Sequence, residues 1–320
     1  MFKAILKKKV SLVHAVGIRL MAAGLVVLTL PCCVQKPFQE PPPSLPATPA
    51  STPTPLSSPP AIPTSTPTPP PLPTGAGMDA VKAIAAKSQC ASFSYPSGQG
   101  LAPKAFLNGM ALVFARSVCN QNSSYMKETA KANTGDDEHD ALSWYNANFE
   151  AAGLSNDKAG LDTLRHLYAL MLGHGMMESS GQHCLGKDPN ASNTSSETCE
   201  AGLWQTSWNS RTYSSELPKI FATYKEGGRK CFLETFSQGI SCREADWENH
   251  GTDEDGLKFQ ELSKKCPAFA AEYAAVVLRN GRQHYGPINH KTAAFSVTCD
   301  AMFAQIQKLV ETTPAVCADL

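Results

Sequence analysis

The sequence lacks the features that would assign it directly to several common functional classes. It has no basic excess, because 28 Lys and Arg balance 28 Asp and Glu. Six of these basic residues and one acidic residue precede residue 75. The remainder therefore has 22 basic and 27 acidic residues, a net charge of −5. This balance argues against nucleic acid as a partner, since phosphate binding needs a basic surface. No CxxC pair and no complete HExxH sequence is present, so two common metal signatures are missing.

Alternating strand patterns are scarce and no internal repeat is present, which argues against a β-rich or a solenoid fold. Apolar residues recur instead at spacings of three and four, which is typical of amphipathic helices. The sequence therefore predicts a mostly α-helical domain, with helices over residues 80–86, 105–119, 142–152, 161–177, 216–226, 257–263, 267–278 and 292–311.

The N-terminal 33 residues have the pattern of an export signal. Five basic residues precede an apolar core at 20–30 that is too short for a permanent membrane helix. Cys32 and Cys33 follow at once, which resembles a bacterial lipoprotein processing site, and we predict lipidation at Cys32, with Cys33 as the alternative. This pattern predicts export to the periplasm or outer membrane, with secretion after simple cleavage as the alternative.

Residues 34–76 are rich in proline, serine and threonine and carry no charge after Glu40. Such a segment cannot bury a core, and its prolines favour extended polyproline II. We predict a disordered linker there and a single folded domain over 77–320. That domain contains nine cysteines, which in an exported protein predict disulfides rather than a metal cluster. Pairing of near neighbours in the chain would join Cys184 to Cys199, Cys231 to Cys242 and Cys299 to Cys317. Because nine is an odd number, at least one thiol of the domain is free or bonded to Cys33.

A carboxyl group ends the most apolar of the predicted helices. Glu178 follows the run from Leu161 to Met177, close to Gly181, which can stop a helix. The C-terminal end of a helix and the apolar neighbours Met176 and Met177 form an environment that suits a proton donor. Glu178 is therefore the candidate catalytic residue.

Three short motifs in order carry a family resemblance. Glu178-Ser179-Ser180-Gly181, then Gly202-Leu203-Trp204-Gln205, then an alanine-rich stretch ending in Asn280-Gly281, resemble the motifs of soluble lytic transglycosylases and goose-type lysozymes. Trp204 replaces the usual methionine.

The resemblance implies a lysozyme-like fold and cleavage of peptidoglycan between N-acetylmuramic acid and N-acetylglucosamine. Glu178 would protonate the glycosidic oxygen, with no cofactor or metal, in a protein that acts as a monomer. The substrate-binding residues would be Ser179, Gly202, Leu203, Trp204, Gln205, Asn280 and Tyr285. Gly202 would let the backbone approach the sugars, and Trp204 or Tyr285 would offer a flat face to a ring.

The sequence also departs from this family. Thr206 and Ser207 stand where goose-type lysozymes have an aspartate, so the group that activates water is unassigned. Asp188, Glu197 and Glu200 are candidates, although a solvated loop is the simpler interpretation of each. Without a second carboxylate, Glu178 could serve first as acid and then as base and form an anhydro-sugar, as a lytic transglycosylase does.

Two other function classes remain as alternatives. One is a non-catalytic lipoprotein that binds peptidoglycan. The other is a zinc hydrolase, because His174 and Glu178 stand four apart and His166 or His183 could supply a third ligand. The net negative charge after residue 75 refines the leading hypothesis. A deacetylated glycan carries free amines and is cationic, so an acidic cleft could prefer it. The chain is thus similar in this respect to lysozymes that prefer deacetylated peptidoglycan.

Overall fold

A computed structural model of the chain describes residues 75–188 and 191–320. The predicted signal peptide, the lipidation site at Cys32 and the predicted linker up to residue 74 lie outside the described residues. Gly75 adopts a left-handed conformation and the first helix begins at Ala76.

The described chain is mostly helical, as the sequence predicts. The α-helices are α1 Ala76–Lys87, α2 Lys104–Cys119, α3 Ser124–Thr129, α4 Ala141–Trp144, α5 Asn146–Ala151, α6 Leu161–Ser179, α7 Glu216–Lys225, α8 Leu233–Ser237, α9 Glu254–Lys265, α10 Pro267–Asn280, α11 Gly286–Asn289 and α12 Val297–Thr312. Short 3₁₀ helices cover Gln89–Ser92, Trp208–Tyr213, Glu244–Trp247, Arg282–His284 and Pro314–Asp319. Strands β1 Ser94–Tyr95 and β2 Gly100–Leu101 form a small antiparallel hairpin, with Ser94 opposite Leu101.

Two helices at the centre of the fold are buried on all sides. Every residue of α2 from Ala105 to Val118 is buried, and so is every residue of α10 from Pro267 to Arg279. Helix α2 packs against α1, α6, α8, α10 and α12, and α6 packs against α2, α10, α11 and α12. A helix that is apolar around its whole circumference belongs in the interior. Because α6 packs against four neighbouring helices, Glu178 near its end has a rigid support.

Charged groups inside the core are paired. Arg116 of α2 donates from Nε to Glu272 of α10 at 3.0 Å, and Arg229 donates to the other oxygen of the same carboxylate at 2.6 Å. Arg279 forms two hydrogen bonds with Asp140, at 2.8 and 2.9 Å. Buried charges are tolerated only with such partners, so these pairs fix α10 against the loops before α4 and α8.

Most predicted helices are confirmed, and two differ. The predicted helix over 142–152 is divided into α4 and α5, because Tyr145 leaves the helical conformation between them. The predicted helix over 292–311 begins later, at Val297, where the Ser296 side chain accepts a hydrogen bond from the backbone of Thr298. Hydroxyl side chains at this position satisfy free amides of the first turn, which sets the start of the helix.

Disulfides are confirmed, but the predicted pairing is wrong. Cys90 bonds to Cys299, Cys119 to Cys317, Cys184 to Cys242 and Cys231 to Cys266. Among the described residues, the buried Cys199 is the free thiol. The loop between Cys184 and Cys199 is therefore not closed by its own disulfide. Several disulfides favour an oxidising environment, which fits an exported protein. Within residues 75–188 and 191–320, no helix combines the length and apolarity needed for a bilayer span.

Candidate functional site

Helix α6 ends at Ser179, one residue after Glu178, where the sequence predicts a helix terminus. Ser180 is in the left-handed conformation, Gly181 follows with φ of 74°, and the Gly181 amide donates to the Gly175 carbonyl at 3.2 Å. This arrangement is a common helix terminus. Glu178 thus lies in the last turn, with 18% of its side chain exposed at the end of a buried helix.

His174 lies one turn before Glu178 and contacts it directly. The distance from His174 Nε2 to Glu178 Oε1 is 3.3 Å, and His174 has no exposed surface. The ring of Tyr285 packs edge-on against His174 at 4.4 Å between centroids. His174 is therefore within hydrogen-bonding distance of the Glu178 carboxyl group.

A tight turn from Ala201 to Thr206 packs against the same end of α6. The Ala201 amide donates to the Thr206 carbonyl at 3.1 Å, which closes the turn. Trp204 Nε1 donates to the Met171 carbonyl of α6 at 3.1 Å, and Thr206 Oγ1 lies 2.9 Å from the hydroxyl of Tyr285. The turn is therefore attached to the helix both directly and through the Tyr285–His174 contact.

His284 supports the same turn from the other side. The Ser207 amide donates to His284 Nε2 at 3.3 Å, so this nitrogen is an acceptor. Burial, with the nearby His174 as a smaller cause, lowers the pKa of His284 to about 4. His284 is therefore neutral at physiological pH and serves as a fixed hydrogen-bond acceptor.

Glu200 directly precedes this turn and is half-buried. Burial, then the charge of Glu178, then that of Asp188 raise the pKa of Glu200 to about 7. Burial is the larger cause, and the charges of Glu178 and Asp188 add to it because like charges oppose a further ionisation. Glu200 lies in a loop, as expected, but its neighbours remove it partly from water. Glu197, by contrast, forms an ion pair with Arg211 at 2.5 Å.

The predicted sugar-contacting role of the Gly202–Gln205 motif is not what the structure supports. Leu203 has no exposed surface, and Trp204 is 1% exposed, so the expected stacking face of Trp204 is covered. Gln205 is 7% exposed and donates from Nε2 to the Gly202 carbonyl at 3.0 Å. These three side chains are buried and stabilise the turn.

Gly202 is required by packing against α9 rather than by approach of a sugar. Its φ is 78°, in the left-handed region that favours glycine. A Cβ atom at this position would lie 2.3 Å from the backbone oxygen of Ser263. The glycine therefore allows the turn to pack closely against α9, and the other side of the turn packs against α6.

The remaining predicted substrate-binding residues are also engaged within the protein. Ser179 is 4% exposed and donates to the Gly175 carbonyl at 2.9 Å. Tyr285 is 1% exposed, so it cannot offer its ring to a sugar, and it joins His174 to the turn instead. Asn280 donates to Glu128 at 2.7 Å and accepts from Lys131 at 2.8 Å. Of the predicted residues, the structure thus brings Tyr285 and the 202–205 motif to the end of α6 as supports.

The two histidines proposed as further zinc ligands are engaged elsewhere. His166 Nδ1 lies 2.8 Å from Asn156 Oδ1, and His183 Nδ1 lies 2.8 Å from the Lys264 carbonyl. Over the described ranges, the one group of three metal-ligating side chains is His183 with Cys184 and Cys242, and these two cysteines are bonded to each other. The donor set therefore does not fit a zinc ion at Glu178.

The sequence contains one signal by which Glu200 could have been distinguished from the other two candidates. It adjoins the Gly202–Gln205 motif, whereas Asp188 and Glu197 lie farther along the loop. Its burial and its interaction with Glu178 depend on how the turn docks on α6, which the sequence alone does not reveal. Comparisons with protein-family models, with curated proteins and with solved structures found no match to this chain.

Proposed function

We propose that this protein cleaves the glycan strands of peptidoglycan at a site centred on Glu178. The observation that carries the proposal is the placement of a partly exposed carboxyl group at the end of the buried helix α6. Glu200 lies within electrostatic range of it. Glycoside cleavage requires a carboxyl group in a protected position that can exchange a proton with the glycosidic oxygen.

In the form that the motif resemblance implies, Glu178 acts alone. It protonates the glycosidic oxygen between N-acetylmuramic acid and N-acetylglucosamine and then accepts a proton from the sugar, giving an anhydro-sugar end. The expected setting is an exported lipoprotein, anchored at Cys32 and separated from the membrane by its proline-rich linker.

Clustered carboxylates support a preference for deacetylated glycan as part of the proposal. The charges of Glu178 and Asp188 both act on Glu200. A glucosamine that has lost its acetyl group carries an ammonium ion, which is attracted to such a cluster. The neutral N-acetyl group gains nothing comparable from it.

The test is digestion of purified peptidoglycan, native and chemically deacetylated, by the protein and by Glu178→Gln. Mass analysis of the soluble products gives both the extent and the type of cleavage. We expect release by the unaltered protein, more from the deacetylated wall, and loss of release in the variant. Co-sedimentation with the wall by both proteins, without soluble fragments, would favour a binding protein and end the enzyme proposal.

A further inference from the structure

We infer that Tyr213 is the stacking residue of a glycan-binding subsite, in which a sugar ring lies on its exposed face and His284 donates a hydrogen bond to a sugar hydroxyl group. This inference rests on the proposed function and identifies where the substrate chain is held beside the candidate acid. It is carried by the exposure of Tyr213, by its contact with Gly281 and by a row of ring contacts that leads to Glu178.

Tyr213 offers an open aromatic face near the candidate site. It ends the 3₁₀ helix Trp208–Tyr213 and is 41% exposed. Trp204 and Tyr285, which the motif resemblance assigns to sugar stacking, are each 1% exposed. The carbon–hydrogen face of a sugar ring is apolar and packs well on the face of an aromatic ring. Tyr213 can therefore take the role that burial denies to the two expected residues.

The backbone of Gly281 supports the Tyr213 ring from beneath. A Cβ atom at Gly281 would lie 2.5 Å from Cγ and Cδ2 of the tyrosine and 2.8 Å from Cδ1. One side of the ring thus rests on the backbone, and its exposed surface lies on the side away from Gly281. The φ of Gly281 is −158°, an extended value, so the tyrosine ring rather than the backbone conformation requires glycine after Asn280.

One carboxylate holds the ring on this support. Glu128 accepts a hydrogen bond at 2.8 Å from Ser214, the residue after Tyr213. Its other oxygen accepts at 2.7 Å from Asn280, the residue before Gly281. Because both segments are held by the same group, the ring is in position before a ligand arrives, and less conformational entropy is lost on binding.

A row of ring contacts joins Tyr213 to the candidate acid. Ring centroids lie 6.3 Å apart between Tyr213 and His284, 5.0 Å between His284 and Tyr285, and 4.4 Å between Tyr285 and His174. His174 in turn contacts Glu178. Because three ring contacts separate Tyr213 from His174, a ligand that reaches both Tyr213 and Glu178 is an oligosaccharide rather than a single sugar.

His284 supplies a polar group beside the stacking face. Its Nε2 accepts the hydrogen of the Ser207 amide, so the neutral ring carries its own proton on Nδ1. His284 is half-buried, and within residues 75–188 and 191–320 its Nδ1 has no hydrogen-bond partner. The two rings meet edge to face, at 67°. An aromatic face with a fixed donor at its edge suits a sugar, which has an apolar ring face and a rim of hydroxyl groups.

The test is calorimetric titration with a β-1,4-linked N-acetylglucosamine hexasaccharide, which has the linkage of the glycan strand without its peptides. Every protein carries Glu178→Gln, so that the ligand stays intact. We compare this parent with added Tyr213→Ala, Tyr213→Phe and the control Val297→Ala, which shortens a side chain that is 51% exposed.

Removing an aromatic anchor from a binding surface typically costs about 10-fold or more in affinity. We expect a loss of this size in Tyr213→Ala and none in Val297→Ala. Tyr213→Phe should retain the affinity of the parent, because phenylalanine keeps the ring face. In the active protein, Tyr213→Ala should raise KM for peptidoglycan with little change in kcat, because the subsite binds the chain away from the reacting bond.

NMR of the parent protein tests the same contact without a folding risk from Tyr213→Ala. The ring-proton signals of Tyr213, identified by their loss in Tyr213→Phe, should shift as the hexasaccharide is added. Signals that stay in place at saturation would overturn the inference, and so would a parent that does not bind the hexasaccharide.

The two proposals fail in different ways. Equal affinity of Tyr213→Ala and the parent would overturn the subsite, while digestion of peptidoglycan by the unaltered protein would leave the proposed function standing. Absence of release by the unaltered protein, with hexasaccharide affinity that depends on Tyr213, would end the proposed function and leave the subsite as that of a glycan-binding protein.

Discussion

Replacing Glu200 with glutamine should stabilise the protein at alkaline pH. In the folded protein the pKa of Glu200 is raised from 4.5 to about 7. Stability is greatest below about pH 4.5, where Glu200 is protonated in both the folded and the unfolded protein. The free energy of unfolding then decreases as the pH rises from about 4.5 through 7. Above that range the folded protein holds a second negative charge beside Glu178. Glutamine has nearly the same shape and carries no charge.

The size of the effect follows from the rise in pKa. A change from 4.5 to about 7 corresponds to about 3.4 kcal/mol, at about 1.36 kcal/mol for each pH unit. Glu200 is half-buried, so solvent screening reduces this figure, and we expect about 1–2 kcal/mol. For a folded region of this size that gain raises Tm by roughly 2–8 °C.

Urea unfolding at pH 8 and at pH 4 measures the effect directly. We expect Glu200→Gln to be more stable than the unaltered protein at pH 8 and equally stable at pH 4, where Glu200 is protonated. Glu197→Gln is the matched control, since Glu197 lies in the same loop but pairs with Arg211 at the surface. It should change stability by less than about 0.5 kcal/mol. An equal gain at both pH values, or a loss at pH 8, would refute the reasoning.

Three further predictions concern the scaffold of the site. Gly202→Ala should lower the free energy of unfolding by about 2–4 kcal/mol, because Gly202 has a positive φ and lies close to a backbone carbonyl of α9. An unchanged midpoint of urea unfolding would contradict this packing. Glu272→Gln should lower the free energy of unfolding by about 3–5 kcal/mol, since Arg116 loses its buried partner, and calorimetry measures this. Peptide mapping without reduction should find Cys90 joined to Cys299, and replacing both by serine should cost about 2–5 kcal/mol.

Local sequence patterns were sufficient to predict most helices and the end of α6. Apolar spacing defines α2, α6 and α10, and Gly181 ends α6, because these features depend on neighbours within one or two turns. Tyr145, which separates α4 from α5, carries no comparable breaker signal.

Long-range pairings could not be predicted in the same way. Cys90 and Cys299 are 209 residues apart, and Cys119 and Cys317 are 198 apart, so proximity in the chain favoured the wrong partners. The packing of α1 and α12 against α2 brings these cysteines together. Disulfide connectivity follows from such contacts, which no spacing of cysteines encodes.

The position of Glu178 in the fold could be predicted from the sequence, whereas its surroundings could not. Glu178 ends a buried helix as expected, but Trp204 and Tyr285 are buried supports because the turn closes over α6. The raised pKa of Glu200 depends on its burial and on the charge of Glu178, and both arise only when the turn docks. Residue type and order identified the motif, whereas the exposure of each side chain is a property of the packed structure.

The most direct test of the central claim is mass analysis of the soluble products from deacetylated peptidoglycan treated with the protein and with Glu178→Gln. The proposal predicts glycan fragments from the unaltered protein and a decrease of about 10²-fold or more in the variant. Reducing ends on those fragments would identify hydrolysis, and anhydro ends would identify transglycosylation by Glu178 alone. Equal release by both proteins, or no release by the unaltered protein from either wall, would contradict the claim.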